Sequence, residues 1–269
     1  MIVTALSRST SLKTLSLGFR SLQSRPDPEN RRPHPPTRTV LPALTYFDFT
    51  RGANEYLEDL VARIDTPRLS HFHVTLFNHF DFGTPQLVRF ISRTPTFKAH
   101  NEAHVVIDGG AVKTILLSRT TGCSGLFNIE ILFGESDFRL SSLLQVSTSS
   151  LAALSVVESL YVYENQYMQL DWEDEIRVEI TEWLDLLRPY TAVKNLYLSE
   201  VFGPGIVRAM QGSVEGRTTV VLPTLETVFL EGLQPSGGPV QEDIGQFVAA
   251  RQLSGYPCAC SLWNGAGRF

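Results

Sequence analysis

Leu12-Lys13-Thr14-Leu15-Ser16-Leu17 reads L-x-x-L-x-L, and this spacing decides the fold. Working outward, Leu41, Leu44, Phe47 and Phe49 repeat it, followed by Leu69, Phe72 and Val74. Cys123, Leu126, Ile129 and Ile131 repeat it again, then Leu154, Val157, Leu160 and Val162. Tyr190, Val193, Leu196 and Leu198 follow, and Leu222, Leu225, Val228 and Leu230 make the last clear copy. Val105 and Ile107 form a degenerate copy between Phe72 and Ile129. The spacing from Leu15 to Val228 averages about 30 residues, near the upper end of leucine-rich repeats. One more step reaches Cys258 in Pro257-Cys258-Ala259-Cys260-Ser261, which reads as a terminal strand.

A repeat of this kind offers one short strand with alternate apolar side chains turned inward. One unit cannot bury its own face, so units stack. The expected fold class is α/β: a leucine-rich-repeat-like, right-handed solenoid of about nine strands, with a curved parallel sheet and outer helices. The chain reads as a single domain, 1–269. Leu57, Leu60, Val61 and Ile64 have helical spacing, and Gln86 to Ile91 follows Thr84-Pro85, a helix-start signal. Leu140 to Val146, Ile176 to Leu187, Ile206 to Met210 and Ile244 to Leu253 fill the same slot. The Asn expected three residues after each strand stands only at Asn165, so no asparagine ladder is expected. Residues 24–39, rich in Pro and Arg, read as a solvated loop, and 263–269 as a weakly ordered tail.

Composition excludes several classes. The chain has 269 residues, 43% hydrophobic and 19% charged, an ordinary globular balance. No apolar run reaches the ~18 residues of a membrane span, so no membrane partner is expected. Met1 to Thr10 lacks the pattern of a signal peptide. Three Cys fit a reducing compartment, so an intracellular location, cytoplasmic or nuclear, is expected. A net charge of −5 argues against nucleic acid as the partner.

Candidate chemistry is sparse. His71 and His73 flank Phe72, and with His104 they suggest a metal site, but no Cys or carboxylate stands at a supporting spacing. Cys258 and Cys260, like Cys123, read as small buried apolar residues. Asp171-Trp172-Glu173-Asp174-Glu175 precedes a helix, where the macrodipole favours negative charge. Gly203-Pro204-Gly205 lacks a phosphate-loop ending and reads as a loop. No nucleophile-elbow motif supports a triad hydrolase. No catalytic residue, metal or cofactor is expected.

What remains is the concave face. Residues flanking each strand's central anchor should point there: Tyr46, Asp48, His71, His73, Asn128, Glu130, Tyr161, Tyr163, Asn195, Tyr197, Phe229 and Glu231. Tyrosine suits protein interfaces because it joins apolar area to a polar tip, and it also simply suits strands. These twelve are the expected partner-binding residues, for a protein ligand.

Several stretches resemble the leucine-rich-repeat region of the F-box-like proteins expanded in mushroom-forming fungi. They are RPDPENRRPHPPTRTVLPALTYFDF, EYLEDLVARIDTPRLSHFHVTLFN, TPQLVRFISRTP, FKAHNEAHVV, LDLLRPYTAVKNLYLSE, VLPTLETVFLEGLQPSG and PVQEDIGQFVAARQLSGYP, spanning Arg25 to Pro257. The resemblance implies the substrate-recognition repeats of a Skp-cullin-F-box ubiquitin-ligase receptor. No F-box helix set precedes Leu12, so a Skp-type adaptor is expected as a partner only if an F-box lies upstream. The first alternative is a stand-alone binding protein or decoy without ligase linkage. The second is an enzyme using His71, His73 or the acidic cluster.

Overall fold

The computed structural model describes residues 6–18, 38–50, 54–77, 84–98, 100–108, 111–118, 125–132, 152–165, 179–215, 221–231 and 239–265. Its strands are β1 (Thr14–Gly18), β2 (Thr39–Val40), β3 (Tyr46–Thr50), β4 (Ile64–Asp65), β5 (His71–Phe77) and β6 (Glu102–Asp108). They continue as β7 (Ala111–Leu117), β8 (Leu126–Leu132), β9 (Ser159–Glu164), β10 (Asn195–Leu198), β11 (Thr227–Leu230) and β12 (Ala259–Leu262). The helices are α1 (Asn54–Arg63), α2 (Pro85–Arg93), α3 (Ile180–Leu187), α4 (Gly203–Glu215) and α5 (Pro239–Leu253). No helix among the described residues is long and apolar enough to cross a membrane.

The fold is mixed α/β, built on one large, mostly parallel sheet. Ten strands run in the order β1-β3-β5-β8-β7-β6-β9-β10-β11-β12, and β2 pairs with β4 separately. Pairing is parallel except at β6–β7 and β7–β8. The expected simple stacking of β6 between β5 and β8 is therefore corrected. The chain from β5 runs instead to β6, beside β9, and returns through β7 and β8 to β5 as an antiparallel meander. The physical reason is local. Asp108 pairs with Ala111, so only two residues join β6 to β7, a length that suits an antiparallel hairpin and cannot make a parallel crossover.

Register also moves by two at three places. Phe72 pairs with Phe127, Leu160 pairs with Ala103, and Val228 pairs with Cys260. The anchors are thus Phe127, Ala103 and Cys260 rather than Ile129, Val105 and Cys258. A slip of two keeps every side chain on its expected face, because the strand period is two.

The approach to many strands is a tight turn set by the first two apolar positions. The Leu44 N–H donates to Leu41 O (3.3 Å), Val157 to Leu154 O (3.3 Å) and Leu225 to Leu222 O (3.2 Å). The carbonyl before a strand then accepts two N–H groups from the next one. Lys13 O takes Thr45 and Tyr46, Glu158 O takes Lys194 and Asn195, and Lys194 O takes Glu226 and Thr227.

One face of the sheet holds the main core. Phe47, Phe72 and Phe127 pack as tilted rings across neighbouring strands at 5.0 and 5.6 Å between ring centroids, and Phe90 of α2 makes a T-shaped contact with Phe72 at 5.4 Å. Buried residues of α1 to α5, among them Leu60, Leu87, Trp183, Val207 and Phe247, join the same cluster, so the helices cover this face.

Polar side chains tie the helices down. Glu58 of α1 accepts from the Gln86 and Leu87 N–H groups, each at 2.8 Å, and so caps α2 where Thr84 makes no side-chain cap. Burial raises the Glu58 carboxyl above its ordinary range, against the lowering effect of those two N–H groups. Arg93, in the last turn of α2, donates to Val61 O and to Ile64 O (2.7 Å). Arg251, in the last turn of α5, donates to Val221 O (3.4 Å), Leu222 O (3.2 Å) and Tyr256 O (3.1 Å). Leu222 sits in the left-handed region at φ 52°, and Arg251 holds its carbonyl there.

Other expectations are corrected or fall elsewhere. Gly203-Pro204-Gly205 is the first turn of α4, not a loop. Helix α3 starts at Ile180. Cys260 is exposed rather than buried, because β12 ends the described sheet and Ala259–Leu262 is exposed throughout. Trp263, expected in a weakly ordered tail, is 7% exposed and packed. Cys123, the acidic cluster 171–175, the segment 140–146 and all of 24–37 lie outside the described residues.

Candidate functional site on the second sheet face

The second face carries its own small cluster: Val106, Ile115, Tyr161, Tyr163 and Trp263, with Leu117, Leu126, Tyr197 and Phe229 packed on it. It contains no helix residue among the described residues. In-register pairing puts one residue from each strand in a single row across it. That row runs Ser16, Asp48, His73, Asn128, Ile115, His104, Tyr161, Tyr197, Phe229 and Ser261. Its first part is polar and its second aromatic.

The polar part is a network across five strands. His73 Nδ1 lies 3.0 Å from Asp48 Oδ1, and Nε2 lies 3.7 Å from Glu130 Oε2. Thr75 Oγ1 is 3.3 Å from His73 Nε2 and donates to Glu130 Oε2 at 3.2 Å. Lys113 Nζ pairs with Glu130 Oε1 at 3.0 Å, and Ser16 Oγ donates to Asp48 Oδ2 at 2.8 Å. Glu130, and then Asp48, raise the His73 pKa above its ordinary value against the opposing effect of burial. His73, then Lys113 and Thr75, hold the Glu130 carboxyl down at about 2, although burial pushes it up. An imidazolium fits these contacts: Nδ1–H faces Asp48, Nε2–H faces the Thr75 oxygen, and the Thr75 hydrogen goes to Glu130.

Asp48, His73 and Thr75 follow the order orienter, base, hydroxyl. The raised His73 pKa and the donation of the Thr75 hydroxyl to Glu130 both work against nucleophilic chemistry there. The network is an electrostatic strut that holds β1, β3, β5, β8 and β7 in register.

The aromatic part is a ladder. His104 stacks on Tyr161 at 4.3 Å and 3°, Tyr161 on Tyr197 at 4.1 Å and 6°, and Tyr197 on Phe229 at 4.4 Å and 7°. In-register parallel strands lie about 4.8 Å apart, so equivalent planar rings stack almost without rotation. His104 Nε2 is 2.7 Å from Glu102 Oε1, and both side chains are buried. Trp263 makes T-shaped contacts with Tyr161, Tyr163 and Tyr197 at 5.9, 6.2 and 5.8 Å between ring centroids.

Of the twelve expected partner residues, Asp48, His73 and Glu130 come together as described. Tyr46 and His71 are exposed, with ring centroids 6.2 Å apart. Asn128, Asn195, Tyr197, Phe229 and Glu231 are half-buried. Tyr161 and Tyr163 are 6% and 1% exposed, so they lie on the expected face but present no free surface. His104 stands in the row with Asn128 and Ile115 between it and His73, and no group of three or more metal-ligating side chains occurs among the described residues. Sequence reasoning missed Lys113, Thr75 and Trp263. Asp108-Gly109-Gly110, a hairpin signal between two apolar runs, would have found Lys113's strand. No family model, curated protein or solved structure matches this chain.

Proposed function

We propose that this protein is a recognition scaffold that binds another protein on the second sheet face. The reading takes the chain as a leucine-rich-repeat-like, right-handed solenoid with units of about 30 residues. Recurrent geometry supports it: Arg93 reaches Ile64 and Arg251 reaches Leu222, each across 29 residues, from the same place in a helix. The carbonyls of Glu158 and Lys194, 36 residues apart, each accept the same pair of N–H groups. The observation that carries the binding role is the aromatic ladder on a face to which no described helix contributes. Aromatic rings on a rigid sheet are good anchors for a protein partner, since little side-chain freedom is lost on binding.

By resemblance, the bound protein is a ubiquitin-ligase substrate, and a Skp-type adaptor is a partner only if an F-box lies upstream. No catalytic role is assigned. The test is capture of partners by the purified chain and by a Tyr197→Ala, Phe229→Ala double variant of unchanged circular dichroism. A partner held by the first and weakened about fivefold or more in the second is expected. Equal capture by both chains would remove this face from the function. Recovery of a cullin when the chain carries its upstream sequence separates the ligase reading from a stand-alone binder.

A further inference from the structure

We propose that Tyr161, Tyr163 and Tyr197, backed by His104, form a receptor for a tryptophan on an extended peptide of the partner, and that Trp263 fills it in cis. This deepens the protein-recognition reading and rests on it. Trp263 directly follows β12, and its N–H still donates to Leu230 O of β11 at 2.8 Å. Its ring makes three edge-to-face contacts, with interplanar angles of 61° to Tyr161, 64° to Tyr163 and 67° to Tyr197. Tyr161 and Tyr197 have both faces within the stack and present their edges, which the face of an indole complements, and such pairs favour T-shaped contact. An aliphatic side chain would lose this geometry.

The rest of the segment contributes little burial. Every residue of β12 is exposed, and Leu262, on the helix-side face, is 67% exposed, whereas its register partner Leu230 is buried. Backbone pairing to β11 and the Trp263 ring hold the strand itself, while Arg251 donates to Tyr256 O at 3.1 Å and Cys258 packs on the helix-side core just before it. A peptide strand with a tryptophan at the equivalent place can take over both: the β11 edge by strand addition and the box by its indole. The β11 edge fixes strand direction, because β12 lies parallel to it.

The probe is a fluorescein-labelled synthetic peptide of residues 256–265 with Cys258 and Cys260 replaced by serine. A second peptide also carries Trp263→Ala. The full-length chain is compared with its Trp263→Ala variant by anisotropy. The tryptophan peptide is expected to bind Trp263→Ala about tenfold more tightly than the native chain. The alanine peptide is expected not to bind, and adding Tyr197→Ala to the protein is expected to abolish binding. Equal binding to both proteins, or none to Trp263→Ala at millimolar peptide, overturns the proposal. So does loss of the native circular dichroism in both Trp263→Ala and Trp263→Phe, which would make the indole a core element. A native dimer that Trp263→Ala converts to a monomer also overturns it, since a second copy would then be supplying the ring. Peptide binding without any effect of Tyr197→Ala, Phe229→Ala on partner capture would leave a closure device and remove only the protein-recognition reading. The converse result would remove only the closure.

Discussion

Glu130→Gln tests the polar network, because glutamine keeps the shape of a protonated glutamate and removes its charge. Glu130 is held at about 2 against an ordinary 4.5 by His73, Lys113 and Thr75. A carboxyl lowered on folding contributes stability that is present above its unfolded value and is lost as pH falls through its folded value. The full linkage is about 3 kcal/mol at pH 6, falling to about half of that at pH 3. The Glu130 side chain is 17% exposed and His73 31%, so solvent screening reduces these figures to about 1.5–3 kcal/mol at pH 6. His73 works in the opposite sense. Its raised value gives stability that is complete below the ordinary histidine value and is lost as pH rises through the folded one. Glu130→Gln should therefore be most costly near pH 6, where both ions are present. Urea denaturation of native and variant chains at pH 6 and pH 3 measures the difference. A cost that is equal at the two pH values would refute the ionic account and leave only a packing effect.

Phe72→Ala removes the ring between Phe47, Phe90 and Phe127 and should lower stability by about 3–5 kcal/mol in urea denaturation. Glu58→Ala uncaps α2 and should cost about 1 kcal/mol by the same assay, with Glu58→Gln recovering part of it. Gly125→Ala should destabilise by about 1–3 kcal/mol, because its added carbon would stand 2.6 Å from the backbone oxygen of Thr96. Gly245→Ala, on the exposed side of helix α5, meets nothing within 4 Å and should raise the melting temperature through a gain of about 1 kcal/mol.

Parts of this fold were legible because local and tertiary demands coincide. Leu41 and Leu44, or Leu222 and Leu225, both close a turn and enter the core, so their spacing survives in the sequence. The face of Asp48, His73 and Tyr197 followed from alternation alone. Strand β7 was hidden for a physical reason. Ala111, Val112, Thr114, Ile115 and Leu116 are all buried, so both faces are covered and the alternation that marks a half-buried strand is missing. Trp263 was hidden differently. Its ring meets Tyr161 more than 100 residues earlier in the chain, and nothing within Ser261-Leu262-Trp263-Asn264 signals such a contact. The Glu130–Lys113 pair depends on β7 lying beside β8, so it could be read only once the meander was known.

The meander also explains why the second face divides into a charged part and an aromatic part. Simple stacking would place β6 beside β5, with His104 next to His73 and the Glu102–His104 pair beside Asp48 and Glu130. Glu130 would then stand one strand further from Thr75 and His73, and the contacts of 3.2 and 3.7 Å would be lost. A third carboxylate would join two that are already close, at an electrostatic cost. Reversing the order puts β8 against β5, which joins Glu130 to its cations. It puts β6 against β9, which lets His104 extend the tyrosine stack. Ile115 of β7 separates the two in the row, an apolar residue between Asn128 and His104. The polar part joins its strands through ion pairs, and the aromatic part joins its strands through stacked rings.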